Sequence, residues 1–260
     1  VSGQGSGRFA GRVAIITGAG APGGIGAAVA RHLVDEGARV VLGATSDRVF
    51  QRADELGESA VGVVADLTVD GAANALVEAA VQRWGRLDVL VNNAGMTSVS
   101  QGWDAESDVA DLSLAEWDAA LARNLTTAFL MCRAVVPVMR AAGYGRIVSV
   151  GSTTGTVNAM PGQSTYTAAK AGLVGLSRAL ALEVVGSGVT VNVVAPGYIA
   201  TGSQLDFEAT AAAAGPIGRS GTPTEIASCV GFLAHESASF VTGAVLVADG
   251  GHGLPETWVR

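Results

Sequence analysis

Lysine is almost missing from this chain. The 260 residues hold sixteen basic side chains, and Lys170 is the one lysine among them. A position that keeps lysine where every other basic residue is arginine is a candidate for chemistry that needs an ammonium. Cysteine is scarce as well. Cys132 and Cys229 offer neither a metal-ligand spacing nor a disulfide framework, and they read as small buried hydrophobes in a reducing compartment. His32, His235 and His252 stand far apart and match no zinc pattern, so no metal site is expected. Positive charge is short: the formal net charge is −7 and no basic stripe appears, which argues against nucleic acid, anionic membranes and acidic protein partners. Residues 1–7 are small and polar, unlike a signal peptide, and the apolar stretch 171–185 is interrupted by Arg178 and Glu183. The expectation is a soluble, cytoplasmic protein.

What is plentiful is small and apolar. Apolar residues make up 49% of the chain against 5% aromatics, and mean hydropathy is +0.40. Alanine, glycine and valine in excess suit a buried parallel sheet under closely packed helices. Short β-branched runs at 13–17, 39–42, 60–65, 87–91, 146–150, 190–194 and 244–247 read as strands. Helical periodicity fills 25–37, 47–56, 71–84, 113–140 (one helix or two), 165–185 and 224–234. This alternation predicts an α/β fold, a single-domain Rossmann-like doubly wound parallel sheet with helices on both faces. No linker or repeat divides residues 1–260, so one dinucleotide-binding domain is expected, with 1–10 flexible and 252–260 a tail. The polar segment 97–111 reads as a surface loop, and 201–221 as a short helix plus loop that forms a mobile flap.

The first strand runs into Thr17-Gly18-Ala19-Gly20-Ala21-Pro22-Gly23-Gly24-Ile25-Gly26 and then a helix. Glycines there let backbone amides approach a pyrophosphate at a helix N-terminus, which makes Gly18, Gly24, Ile25 and Gly26 candidate cofactor residues. The second strand ends Gly43-Ala44-Thr45-Ser46-Asp47-Arg48. Ala44 takes the place where an NAD site usually carries a carboxylate, while Thr45, Ser46 and Arg48 suit a 2′-phosphate. This favours NADP(H). NAD(H) stays open, because Asp47 would serve it after one turn of slippage, and Ser46 and Asp47 also suit a helix cap.

Tyr166 and Lys170 sit four residues apart at the start of a helical segment, on one face. A phenol is a poor acid/base at neutral pH, and a nearby ammonium stabilises its anion. So paired, Tyr166 can give a proton to a developing alkoxide or take one from an alcohol.

Further motifs follow in order: Asp66-Leu67 after the third strand, Asn92-Asn93-Ala94-Gly95 after the fourth, Asn124 in the long helix, Ser152 after the fifth, and Pro196-Gly197-Tyr198-Ile199-Ala200-Thr201 after the sixth. With the glycine turn and the Tyr166/Lys170 pair, the chain resembles the short-chain dehydrogenase/reductases of standard length over essentially its whole length. Within them it is similar to ketoreductases of the 3-oxoacyl-(acyl-carrier-protein) reductase kind. The resemblance implies that hydride moves directly between a nicotinamide cofactor and a carbonyl or secondary alcohol carbon. It implies that Ser152 holds the substrate oxygen, Tyr166 exchanges the proton, Lys170 grips the nicotinamide ribose, and Asn124 positions a water behind Lys170. Asp66 and Leu67 would meet the adenine, Asn93, Ala94 and Gly95 the adenosine ribose side, and Gly197, Ile199 and Thr201 the carboxamide end. It also implies a homo-oligomer, tetramer or dimer, built on the helices that hold Asn124 and Tyr166.

Single residues have plainer readings: Ser152 as a turn cap with Ser149 its in-strand alternative, Asn124 as a surface amide, Pro196-Gly197 as a turn. Against the family pattern, the glycine turn is two residues longer, and Gly23 stands where NADP users often carry arginine. The segment before Asn124 is long enough for Trp103 to wall the cleft. The flap is short, which suits a small substrate, and Trp258 in the tail is placed to pack on a neighbouring subunit. A β-ketoacyl reductase acting on carrier or coenzyme A thioesters is the alternative, although Gly143 and Ser187 stand where carrier-reading members present basic residues. A non-catalytic NAD(P)-binding sensor would be expected to lose Tyr166, Lys170 or Ser152, and all are present. Epimerases and dehydratases of longer relatives need an added substrate domain, and a methyltransferase would share the glycine turn without the Tyr–Lys pair.

Overall fold

A computed structural model of the chain describes residues 7–95 and 108–254. Trp103 and Trp258 lie outside the described residues. Seven parallel strands form one sheet: β1 (Val13–Thr17), β2 (Arg39–Ala44), β3 (Ala60–Val64), β4 (Val89–Asn92), β5 (Gly145–Val150), β6 (Val189–Pro196) and β7 (Val245–Ala248), in the order β3-β2-β1-β4-β5-β6-β7. Strands β1, β2, β4, β5 and β6 are buried nearly throughout, which is why they read as unbroken apolar runs rather than alternating ones. Order reverses between β1 and β4, and in such sheets ligands bind beyond the strand C-termini at that reversal.

The helices are α1 (Ile25–Asp35), α2 (Arg48–Asp54), α3 (Ala72–Trp84), α4 (Leu114–Leu121), α5 (Thr127–Ala142), α6 (Ser164–Val184), α7 (Asp206–Ala214) and α8 (Pro223–Ala234). On one face α1 and α8 bury Val29, Leu33, Ile226 and Val230. On the other, α3, α5 and α6 bury Leu76, Met131, Val135 and Leu180. The segment 113–140 resolves into α4 and α5 joined by a π-helical turn, Ala122–Thr126. The continuous run Leu114–Ala142 is long and apolar enough to cross a membrane by length and composition, which sequence reading did not flag. Here its apolar side packs on the sheet, with Met131, Val135 and Met139 fully buried.

Flexibility over 1–10 does not extend to the described residues 7–10. Phe9 is in the core, edge-on to His235 at 5.6 Å, and its N–H donates to Glu36 O at 2.8 Å. Arg8 reaches the Glu36 carboxylate at 3.0 Å. An aromatic ring that finds a pocket beside α1 outweighs the glycines that precede it.

Candidate active site

The glycine turn and the motifs that follow β2 to β6 lie at the C-terminal edge of the sheet. Thr17 closes β1 and organises the reversal. Its Oγ1 accepts from Asn93 N at 3.0 Å and Ala94 N at 2.9 Å, and donates to Val91 O at 3.4 Å. Asn93 Nδ2 donates to Thr17 O and Gly18 O at 2.9 and 3.2 Å, so its amide braces the glycine turn. Gly18 has φ +68°, and a methyl there would sit 2.8 Å from Ala94 Cα. Gly26 is pressed as closely, with Asn93 Nδ2 2.6 Å from where its Cβ would be. Thr17 had no assigned role in the sequence reading, and only its place between strand and glycine marks it.

Gly24 is the N-cap of α1 and makes no side-chain cap, and no acidic residue occupies the helix's first turn. The first amides beside Gly24, Ile25 and Gly26 thus suit a diphosphate. At the end of β2, Thr45 is exposed and Arg48 Nε donates to Ser46 Oγ at 3.2 Å, which groups these side chains at one corner. Asp47 precedes α2 without capping it. After β3, Leu67 is buried, and Asp66 Oδ1 accepts from Thr68 N and Oγ1 at 3.0 and 2.7 Å, bonds that hold its carboxyl below the usual range.

The candidate catalytic residues converge from the loop after β5, from α6 and from the π turn. The loop after β5 folds on itself through a bridge between Thr154 and Asn158, and Thr154 N donates to Ser152 Oγ at 3.1 Å. Gly155, at φ +93°, lets this loop lie on α6: a methyl there would sit 2.6 Å from Thr167 O and 3.2 Å from Lys170 Cβ. That contact lays the Ser152 loop beside the start of α6, and Ser152 acts on the Tyr166 phenol to lower its pKa. Ser149, the alternative, is buried in β5 beside Asn92.

Lys170 is 3% exposed, its Nζ donating to Val150 O at 3.1 Å and lying 5.4 Å from the centre of the Tyr166 ring. Burial pulls Lys170 down to about 8. Burial also pushes Tyr166 up, the bond with Ser152 works against that rise, and the charge of Glu208 adds to it. The expected depression of the phenol by Lys170 is therefore not found: the shift is upward, with desolvation its largest cause. Asn124 is 2% exposed inside the π turn, its Nδ2 donating to Ala120 O at 3.1 Å. Gly95, at φ +141°, packs against its Oδ1. A π turn redirects a side chain that a regular helix would aim elsewhere.

After β6, Gly197 fits against Asp249, Ile199 bridges to Gly221, and Thr201 Oγ1 lies 3.1 Å from Ser203 Oγ. Tyr198 meets His252 edge-on at 5.0 Å, so residues 249–254 fold beside the site. The flap contains α7, and Glu208 at its first turn was not anticipated from sequence. Among the described residues no group of three or more His, Cys, Asp or Glu side chains is placed to hold a metal.

The chain is similar to known proteins over nearly its whole length. A family model described as enoyl-(acyl carrier protein) reductase matches residues 18–253. The chain is 41% identical over 251 residues to cis-4-hydroxycyclohexanecarboxylate dehydrogenase of Sinomonas cyclohexanicum, covering 94% of this chain and 97% of that protein. It is 40% identical over 248 residues to the 3-oxoacyl-(acyl-carrier-protein) reductase FabG of Salmonella typhimurium, covering 94% and 98%. Among solved structures, levodione reductase superposes with a TM-score of 0.86 at 33% identity, covering 94% of this chain and 98% of that one.

Proposed function

The chain belongs to the short-chain dehydrogenase/reductase family, and from that premise we propose how its residues divide the work of a nicotinamide-dependent carbonyl–alcohol oxidoreductase. The observation that carries the reading is the convergence of Ser152, Tyr166 and a buried Lys170 at the sheet's C-terminal edge. Ser152 holds the carbonyl or alcohol oxygen. Tyr166 gives that oxygen its proton in reduction and removes it in oxidation. Lys170 holds a positive charge beside the phenol and binds the nicotinamide ribose. Asn124 carries the proton path from Lys170 toward water. When bound, the cofactor supplies or accepts the hydride.

Gly18, Gly24, Ile25 and Gly26 take the diphosphate, Asp66 and Leu67 the adenine, and Asn93 to Gly95 the adjoining ribose. Gly197, Ile199 and Thr201 take the carboxamide end. Thr45 and Arg48 read a 2′-phosphate, so NADP(H) is the preferred cofactor over NAD(H). The substrate is a small ketone or secondary alcohol, and the ring named for one relative makes alicyclic ketones the first choice. The enzyme works as a homotetramer in the cytoplasm, consistent with its two unpaired cysteines. A β-ketoacyl thioester substrate is the second reading, favoured by the reductase relatives of that name.

The test follows nicotinamide absorbance during turnover of cyclic ketones, diketones and β-ketoesters, with NADPH and NADH in parallel. Oxidation of NADPH well ahead of NADH supports the assignment of Thr45 and Arg48; the reverse order removes it. Tyr166→Phe should bind cofactor normally and lose turnover, and full activity in that variant overturns the proton assignment.

A further inference from the structure

Past β7 the chain folds into a turn, 249–254, that is tied at its first residue. Asp249 Oδ1 accepts from Gly251 N and Oδ2 from Gly253 N, both at 2.8 Å, and Asp249 O accepts from His252 N at 3.2 Å. Among the described residues no arginine, lysine or histidine forms an ion pair with Asp249. Its two oxygens serve the backbone of the turn. The turn touches three other segments. At the end of β6, Gly197 N donates to Ala248 O at 3.2 Å, and a methyl on Gly197 would sit 2.7 Å from Asp249 Cβ. In the flap, Ile217 Cγ2 lies 2.6 Å from where a Cβ on Gly250 would be, and His252 Nδ1 lies 2.7 Å from where one on Gly215 would be. In the loop after β5, Val157 Cγ1 lies 2.8 Å from where a Cβ on Gly253 would be, and Asp249 Oδ2 lies 3.1 Å from that same point.

Val157 belongs to the loop that carries Ser152, and that loop is closely tied. Thr153 N donates to Pro196 O at 2.9 Å, Thr154 N to Ser152 Oγ at 3.1 Å and Gly155 N to Asn158 O at 2.8 Å. The amides of Thr156, Val157 and Asn158 all donate to Thr153 O, at 3.1, 2.8 and 3.1 Å. Thr156 Oγ1 donates to Ser152 O at 2.6 Å. A displacement of Val157 is therefore passed to Ser152 through short bonds.

We infer that Asp249 is a positioning residue for the reaction: by fixing the turn 249–254 it seats Val157 and Gly197 against one body, and so sets where Ser152 stands relative to the end of β6. This rests on the reductase reading above, in which Ser152 holds the substrate oxygen and Gly197 lies at the carboxamide end of the cofactor. Closing a local turn needs only the two amide bonds. It does not need the close fits at Gly197 and Gly253, where a single methyl group would collide with Asp249 or Val157. Hydride transfer is sensitive to the separation of its two carbons, and supporting contacts that fix such a separation act on rate rather than on cofactor affinity.

The experiment compares the full chain with Asp249→Ala and Asp249→Asn. Amide hydrogen exchange, followed by mass spectrometry without substrate, comes first. In Asp249→Ala the amides of 153–158 should exchange about tenfold faster, while those of β1 keep the parent rate. Asparagine keeps one acceptor oxygen, so Asp249→Asn should fall between the two, and it carries the same comparison if the alanine variant does not fold. Turnover of cyclohexanone comes second. In Asp249→Ala kcat should drop roughly tenfold or more, and the dissociation constant for ADP-ribose, which lacks the nicotinamide, should hold. Parent-rate exchange over 153–158 overturns the inference, as does faster exchange there with an unchanged kcat. Loosening of β1 in step with 153–158, together with weaker ADP-ribose binding, is what a purely structural role would produce, and it overturns the inference too. Failure of the unaltered protein to reduce any ketone counts against the reductase reading, while the tie between Asp249 and the Ser152 loop still stands or falls on exchange.

Discussion

Lys170 is the residue whose chemistry the chain protects at a cost to stability. An ammonium 3% exposed, with one carbonyl as its described hydrogen-bond partner, is held against desolvation, and its value falls from 10.5 to about 8. The sign follows from proton counts. Between those values the unfolded chain binds more protons than the folded one, so stability rises with pH across that window. The deficit is full below pH ~8 and disappears as pH approaches the unfolded lysine's value; it amounts to about 3 kcal/mol. Lys170→Met, which keeps most of the volume, should therefore be more stable than the parent at pH 7 in urea unfolding, and its advantage should shrink by pH 10. It should also lose turnover and bind cofactor more weakly. A variant less stable at pH 7 would show that the Val150 bond outweighs the burial. The Tyr166/Lys170 pair was legible in sequence because its spacing and the scarcity of lysine both mark it. Glu208 was not, since a glutamate that caps a helix's first turn gives no sequence sign of the tyrosines its charge reaches.

Elements were legible where one physical cause decides them. Buried parallel strands announce themselves as β-branched runs, and β1, α6 and α8 fall within a residue of where periodicity puts them. Capping boxes at Ser113/Glu116 and Thr222/Glu225 fix the starts of α4 and α8 by local hydrogen bonds alone. The π turn at Asn124 had no such signal: it depends on Gly95 and Gly172 letting two neighbouring segments press against it, contacts made across the fold. The loop carrying Ser152 is a similar case, placed by the absence of a side chain at Gly155. Gly155→Ala meets a left-handed φ and the Thr167 carbonyl at once, a backbone atom that cannot step aside. It should cost roughly 1–3 kcal/mol of stability. It should also lower kcat at least tenfold by moving Ser152 off Tyr166, while the dissociation constant for cofactor at the glycine turn holds. Weakened cofactor binding with unchanged kcat would place the strain elsewhere.

At the scale of the molecule, the sheet's two faces are filled but its outer surface is not polar throughout. On α5, α6 and the turn that follows α6, Phe129, Leu182 and Val185 are exposed, Leu182 by 79%. At the opposite end β7 is an unpaired edge, with Phe240, Phe232 and Val247 exposed around it. Open edges and contiguous apolar surface are usually covered in soluble proteins. Two separate patches on one chain, each covered by the same patch of another copy, generate a tetramer with dihedral symmetry. That is the expected assembly, and it accounts for a mean hydropathy of +0.40 without a larger core. Each patch then makes its own dimer. Leu182→Glu with Val185→Glu should convert tetramer to dimer in sedimentation velocity, and Phe240→Glu with Val247→Glu should do the same through the other face. Combining all four substitutions should give monomer. Because α6 carries both Leu182 and the Tyr166/Lys170 pair, losing the first interface should lower activity more than losing the second. A parent chain that sediments as a monomer at micromolar concentration would refute the assembly and leave those apolar side chains to another partner.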